Sequence, residues 1–190
     1  MTETSTGGLT PGGVRILEAS GRLFYARGIH AVGVEAIAAE AGMTKRTLYD
    51  RFGSKEALVA AYLRRHHEQW WARMRERVDS APGPKVLALF DAYLAAAEES
   101  HYGCPFLNAA AELRNGHLGL RVVADHKRQV REEVCRLIEA EVSAQGAAQL
   151  GEHVFLLLEG GIAHRGIDTG VDHLRAARTL AERLVADAVR

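Results

Sequence analysis

Cysteine is almost missing from this chain: 190 residues hold two, Cys104 and Cys135. Two thiols cannot build a disulfide framework, and neither belongs to a CxxC pair, so both are expected to be reduced and a disulfide-stapled domain is excluded. Long apolar runs are missing too. Stretches such as Val154 to Leu158 fall far short of the roughly 20 residues that cross a bilayer. The polar first residues lack the basic-then-apolar layout of a signal peptide. A cytoplasmic protein with no membrane partner is expected. There is no net charge either, 24 basic side chains standing against 24 acidic ones. Also absent are a GxSxG elbow, a phosphate-cradling glycine loop and a paired aspartate box, which removes the common hydrolase and transferase readings. Nine histidines do not make a metal site, because no two stand at the four-residue spacing of a helical zinc pair and adjacent His66 and His67 point to different faces. No cofactor is expected.

What is present is helical. Thr10-Pro11 reads as an N-cap followed by proline in the first turn. Ile16, Leu17, Ala19, Ser20, Leu23 and Phe24 then recur at helical spacing until Gly28. A short second helix spans 34–41, and Thr44 caps a third over 45–52. Ser54 caps a long fourth from Lys55 to about Ser80, before the APGP breaker at 81–84. Further helices are expected over 85–100, 105–114, 118–145, 147–165 and 171–189. No period-two alternation survives between turn signals, so the fold class is all-α. The chain divides into a disordered tail, 1–9, a three-helix head, 10–54, and a helical body, 55–190, which helix four joins to the head. Up to Arg65 there are nine basic residues against six acidic, a local excess of +3. Such an excess matters only if the charges share a face.

The stretch MTKRTLYDRFGSKEAL, residues 43–58, shows how they can. Leu48 and Phe52 are four apart and share one face of the third helix, leaving Lys45, Arg46, Thr47, Tyr49 and Arg51 on the rest of its circumference. Docked on Ile37, Ala38, Ala41 and Phe24, that apolar pair turns the polar face outward. Two short helices joined by a glycine-containing turn form a helix-turn-helix, whose second helix has the width of the DNA major groove. Guanidinium and ammonium groups bind phosphate, and arginine can fork onto guanine. Lys55, at the start of helix four, adds a phosphate seat. The rival reading of the same charges is a solvated helix in an ordinary bundle.

Residues 15–63 resemble the DNA-binding domain of the TetR family of bacterial one-component transcriptional repressors. The resemblance runs through Phe24 and Gly28 closing helix one, IAAEAG in helix two, and TLYDRFGSKEAL. It implies phosphate or groove contacts at Thr47, Tyr49 and Lys55 and base reading at Lys45 and Arg46, with Thr44 and Arg51 on the same DNA-binding surface. Two positions depart from the pattern. Val34 stands where a threonine often starts helix two. Asp50 stands where an aromatic or histidine is usual, and it can pair with Arg46 one turn back.

By the same resemblance the body binds a small-molecule effector and forms a homodimer on a double-stranded DNA operator. The effector would act by tilting helix four. Aromatics in the body can wall a cavity made of Trp70, Trp71, Met74, Phe90, Tyr93, Leu94, Cys104, Phe106 and Leu107, or they can be plain core. Cys104 sits in a bend with His101 as its one nearby basic partner. The last two helices resemble a pairing surface: Leu157, Gly160 and Gly161 on one, and Leu174, Ala177, Leu180 and Leu184 on the other. Mid-helix glycines cost about 1 kcal/mol each against alanine and so point to close backbone approach. Two other readings remain open, a helical module that docks a protein or RNA and an all-α enzyme that uses the aromatic cavity.

Overall fold

The computed structural model describes residues 8–99, 102–142, 144–167 and 170–189. Within them the chain runs through α1 (Pro11–Arg27), α2 (Val34–Glu40), α3 (Lys45–Phe52), α4 (Lys55–Ser80), α5 (Lys85–Glu99), α6 (Pro105–Glu112), α7 (Leu118–Glu141), α8 (Ala144–His164) and α9 (Asp172–Val189). No strand occurs among the described residues, as the missing period-two patterning requires. The three caps form. Gly13 N–H donates to Thr10 Oγ1 at 3.4 Å, Thr47 N–H to Thr44 Oγ1 at 3.1 Å and Ala57 N–H to Ser54 Oγ at 3.0 Å. The expected tail, 1–9, lies outside the described residues as far as residue 7, and His101 lies outside them as well.

One boundary moves. The periodicity predicts a helix over 118–145 that Gly146 stops, but α7 ends at Glu141 and α8 begins at Ala144. The chain is fixed at that point by distant partners. Val142 is buried, and Glu141 Oε1 accepts the N–H of Lys85 at 2.5 Å, capping α5, whose own Pro84 has no capping side chain.

The helices form two compact units. The first comprises residues up to Glu68 together with Pro105–Ala124, so the unit that holds the head is larger than 10–54. Helices α1, α2 and α3 pack on one another. Ile16, Ile37, Leu48, Leu58, Val59 and Leu63 are each fully buried there. A file of rings continues the core, with Phe24 and Tyr62 5.7 Å apart, Tyr62 and His66 6.4 Å apart, and His66 edge-on to Phe106 at 5.5 Å.

The second unit comprises Gln69–Cys104 and the chain from Asp125 onward. Its core holds Met74, Leu89, Phe90, Ile138, Leu158 and Leu174. Trp70 meets Tyr93 at 4.8 Å and the buried His126 at 5.3 Å, both edge-on. α8 and α9 form a closely packed hairpin. Arg178 ties α9 to Asp91 of α5 through two bonds, 2.6 and 3.3 Å.

Candidate nucleic-acid interface

α3 is seated by a single side chain. Leu48 has no exposed surface, while Phe52 is half-buried at the helix end. The cap at Thr44 is reinforced by its hydroxyl lying 2.9 Å from that of Thr47. Gly53 closes the helix at φ +76°, its N–H donating to Tyr49 O at 2.8 Å. A β-carbon resists that conformation. With Leu48 inward, Thr44, Lys45, Arg46, Tyr49, Asp50 and Arg51 are exposed and Thr47 is half-buried. The Arg46 side chain is 91 % exposed. The structure thus brings six of the seven predicted contact residues onto one short capped helix. The seventh, Lys55, is half-buried at the start of α4, with its ammonium 6.0 Å from the Phe24 ring. Burial lowers its pKa, and the charge of Glu112 opposes that shift.

Two acids temper the basic face. Glu35 of α2 accepts from the Lys45 ammonium at 2.5 Å, and that ammonium also lies 6.0 Å from the Tyr49 ring. The Lys45 hydrogen bond holds the Glu35 carboxyl below its ordinary range, and Glu35 raises Lys45 in return. Asp50 stands 3.8 Å from Arg46, the pairing that its spacing suggested. Val34 is buried at the start of α2, where the N-cap, Gly33, makes no side-chain cap bond.

Glu112 gave no signal in the sequence. Its Oε1 accepts from Ile29 N–H at 2.9 Å and its Oε2 from His30 N–H at 2.7 Å. Glu56 on α4 likewise accepts from Leu118 N–H, the first amide of α7, at 2.6 Å. Partners this remote in sequence leave no periodicity to read.

The residues predicted to wall an effector cavity fall in both units. Trp70, Trp71, Met74, Phe90, Tyr93, Leu94 and Cys104 belong to the second unit, whereas Phe106 and Leu107 belong to the first, where the Phe106 ring meets His66. Phe90 has no exposed surface. Trp71 is half-buried beneath the Arg75 guanidinium at 5.5 Å. A groove of about 460 Å³ does open between α4 and α5, over Trp70, Met74, Ala92, Ala95 and Ala96, with Arg73, Arg77 and Glu99 among the residues at its rim. Of the predicted residues only Trp70 and Met74 line it. The buried Tyr93 hydroxyl has no hydrogen-bond partner among the described residues.

The residues predicted for a pairing surface differ in their surroundings within the chain. A β-carbon on Gly161 would lie 2.9 Å from Leu174 Cα and 3.4 Å from Ala177 Cβ. Gly161, Leu174 and Ala177 are therefore spent on the α8–α9 seam of one chain. A β-carbon on Gly160 would meet nothing within 4 Å among the described residues, Leu157 and Leu184 are half-buried, and Leu180 is 44 % exposed. Leu156, absent from the prediction, is 63 % exposed.

Residues 16–62 match the family described as bacterial regulatory proteins, tetR family. Among curated proteins the chain is similar to the HTH-type transcriptional repressor KstR2 of Mycobacterium tuberculosis, 38 % identical over 88 residues. That match covers 45 % of this chain and 44 % of the relative, so it spans less than half of KstR2. The HTH-type transcriptional activator FasR of Mycolicibacterium smegmatis is 39 % identical over 62 residues, 33 % of this chain and 28 % of its own length. Among solved structures, a TetR-family transcriptional regulator from Streptomyces coelicolor superposes with a TM-score of 0.85 at 27 % identity, over 94 % of this chain and 96 % of that one.

Proposed function

We propose that this chain, which belongs to the tetR family of bacterial regulatory proteins, is a transcriptional repressor that grips a palindromic operator as a homodimer and is released by a small molecule. The observation that carries the reading is α3, a capped helix seated by Leu48 with Lys45, Arg46, Tyr49 and Arg51 turned outward. Its width suits the major groove, and its cations suit phosphate and guanine edges.

In this reading the first unit binds DNA and the second senses and pairs. Two copies of α3, one per protomer, enter successive major grooves about 34–36 Å apart. Exposed Leu156, Gly160 and Leu180 form the facing surface of the dimer, burying apolar area that a lone chain leaves in water. The effector occupies the α4–α5 groove, whose size falls in the range of small-molecule sites, about 300–1,000 Å³. Trp70 and Met74 supply the groove's apolar floor, and the Arg73 and Arg77 guanidiniums supply polar contacts. A coupling of about 1–3 kcal/mol between effector and operator is enough to change occupancy 5- to 150-fold.

Selection of bound duplexes from a random pool tests the proposal. Enrichment of a palindrome whose half-sites lie one helical turn apart is the expected result. A pool that stays unenriched, with the protein stripped of any co-purified ligand, would refute it.

A further inference from the structure

α2 is seven residues long and starts without a capping side chain, since its N-cap is Gly33. Such a short helix is marginal alone and takes its position from what holds its ends. The segment that feeds it, residues 28–33, is held from a distance. Glu112, the last residue of α6, places one carboxylate oxygen on Ile29 N–H and the other on His30 N–H, at 2.9 and 2.7 Å. Both bonds are charge-assisted and two-pronged, which fixes direction as well as distance. The fit is tight at Gly28, where a β-carbon would stand 3.1 Å from Oε1 and 3.2 Å from Oε2, and where φ is +85°, a conformation that favours glycine. The imidazole of His30 approaches the same carboxylate at 3.4 Å, and Glu112 also acts on the Lys55 ammonium.

Residues 105–124 belong to the unit of the helix-turn-helix, yet the chain on either side of them, through Cys104 and from Asp125, belongs to the other unit. The segment is thus joined covalently to the second unit at both of its ends. It is tied to the rest of the first unit by the Glu112 carboxylate on the 29–30 amides and by Glu56 on Leu118 N–H.

We infer that Glu112 is a positioning residue for DNA binding. By holding the amides of Ile29 and His30 it sets the approach of the chain into α2, and through the α2–α3 packing it sets the pose of the recognition helix. Drawing α6 away would release the loop and lower operator affinity with no effector near the DNA. The inference rests on the DNA-binding reading, and its test has one arm that does not.

The variants are Glu112→Gln and Glu112→Asp in the full chain. Glutamine keeps one acceptor and turns a donor toward a donor. Aspartate keeps the charge and both oxygens but shortens the reach, which guards against a Glu112→Gln protein that fails to fold. The first arm measures amide hydrogen exchange without DNA. Exchange at Ile29 and His30 is expected to rise about tenfold or more in the variants, while amides of the α8–α9 hairpin are unchanged. The second arm measures affinity for the selected duplex, where a loss of about tenfold or more is expected from both variants. The sign is decisive for glutamine: deleting an acid from the DNA-binding unit would by charge alone tighten binding. Unchanged exchange at residues 29 and 30, or operator affinity that is unchanged or higher in Glu112→Gln, would overturn the assignment. A wild-type protein that selects no duplex would remove the DNA reading and with it the positioning role, while the exchange arm would still decide whether Glu112 holds the loop.

Discussion

Glu35 on α2 accepts from Lys45 on α3 at 2.5 Å, so the first cation of α3 already has an acidic partner on the neighbouring helix. Phosphate must displace Glu35 to use Lys45. Glu35→Gln is therefore expected to raise affinity for unrelated duplexes and to steepen the salt dependence by about one phosphate contact. Unchanged binding to unrelated DNA would show that Lys45 does not reach the backbone. A depressed carboxyl contributes above its unfolded value and loses the contribution as pH falls through the folded one. A raised ammonium contributes below its unfolded value and loses it as pH rises through the folded one. The difference between wild type and Glu35→Gln is thus expected to stay constant from about pH 5 to pH 9, between the two ordinary ranges, and to vanish in acid.

Gly160 and Gly161 are neighbours with opposite surroundings. Gly161→Ala would drive a methyl against the Leu174 backbone and is expected to cost about 1–3 kcal/mol in denaturant unfolding. Gly160→Ala meets nothing within 4 Å and is expected to be neutral or stabilising by up to about 1 kcal/mol. Equal effects at the two sites would contradict the α8–α9 seam described above.

Leu156 and Leu180 are 63 % and 44 % exposed. If they face the partner protomer, Leu156→Glu combined with Leu180→Glu yields a helical monomer in sedimentation, with operator affinity reduced because the half-sites are no longer gripped together. A doubly substituted protein that sediments as a dimer would place the interface elsewhere.

Burial pushes the Tyr93 phenol well above its ordinary value of 10.0, with Glu159 and Cys104 adding to the shift. A raised folded value contributes stability below the unfolded value and loses it as pH rises through the folded one. Wild type is expected to lose stability as pH climbs past about 10, and Tyr93→Phe is expected to lack that loss. Since the hydroxyl is buried without a partner among the described residues, Tyr93→Phe is also expected to be neutral or stabilising near pH 7, by about 1 kcal/mol. A clear destabilisation there would mean that the hydroxyl is satisfied in solution.

Helix α3 was legible because everything that makes it is local. A threonine three residues before a satisfied amide, a leucine and a phenylalanine four apart and a closing glycine all lie within 44–53. The ties that hold it in place were not. Glu112 is 83 residues from Ile29, and Glu56 is 62 from Leu118. A carboxylate on a backbone amide leaves no trace in either stretch of sequence. The same limit hid the surroundings of Phe106, whose helical pattern is local but whose ring meets His66, 40 residues earlier. It also merged Gly160 with Gly161, since a glycine pair tells of close approach without telling which of the two is approached.

The most direct test of a DNA-reading α3 is the affinity of wild type and Arg46→Ala for the selected duplex and for a scrambled one, between about 50 and 200 mM salt. Wild-type affinity is expected to fall by about 10³-fold or more over that range, as 6–10 phosphate contacts require. Arg46→Ala is expected to lose about 10- to 100-fold on the selected duplex and far less on the scrambled one. Equal affinity for both duplexes, unaffected by Arg46→Ala, would contradict a DNA-reading α3.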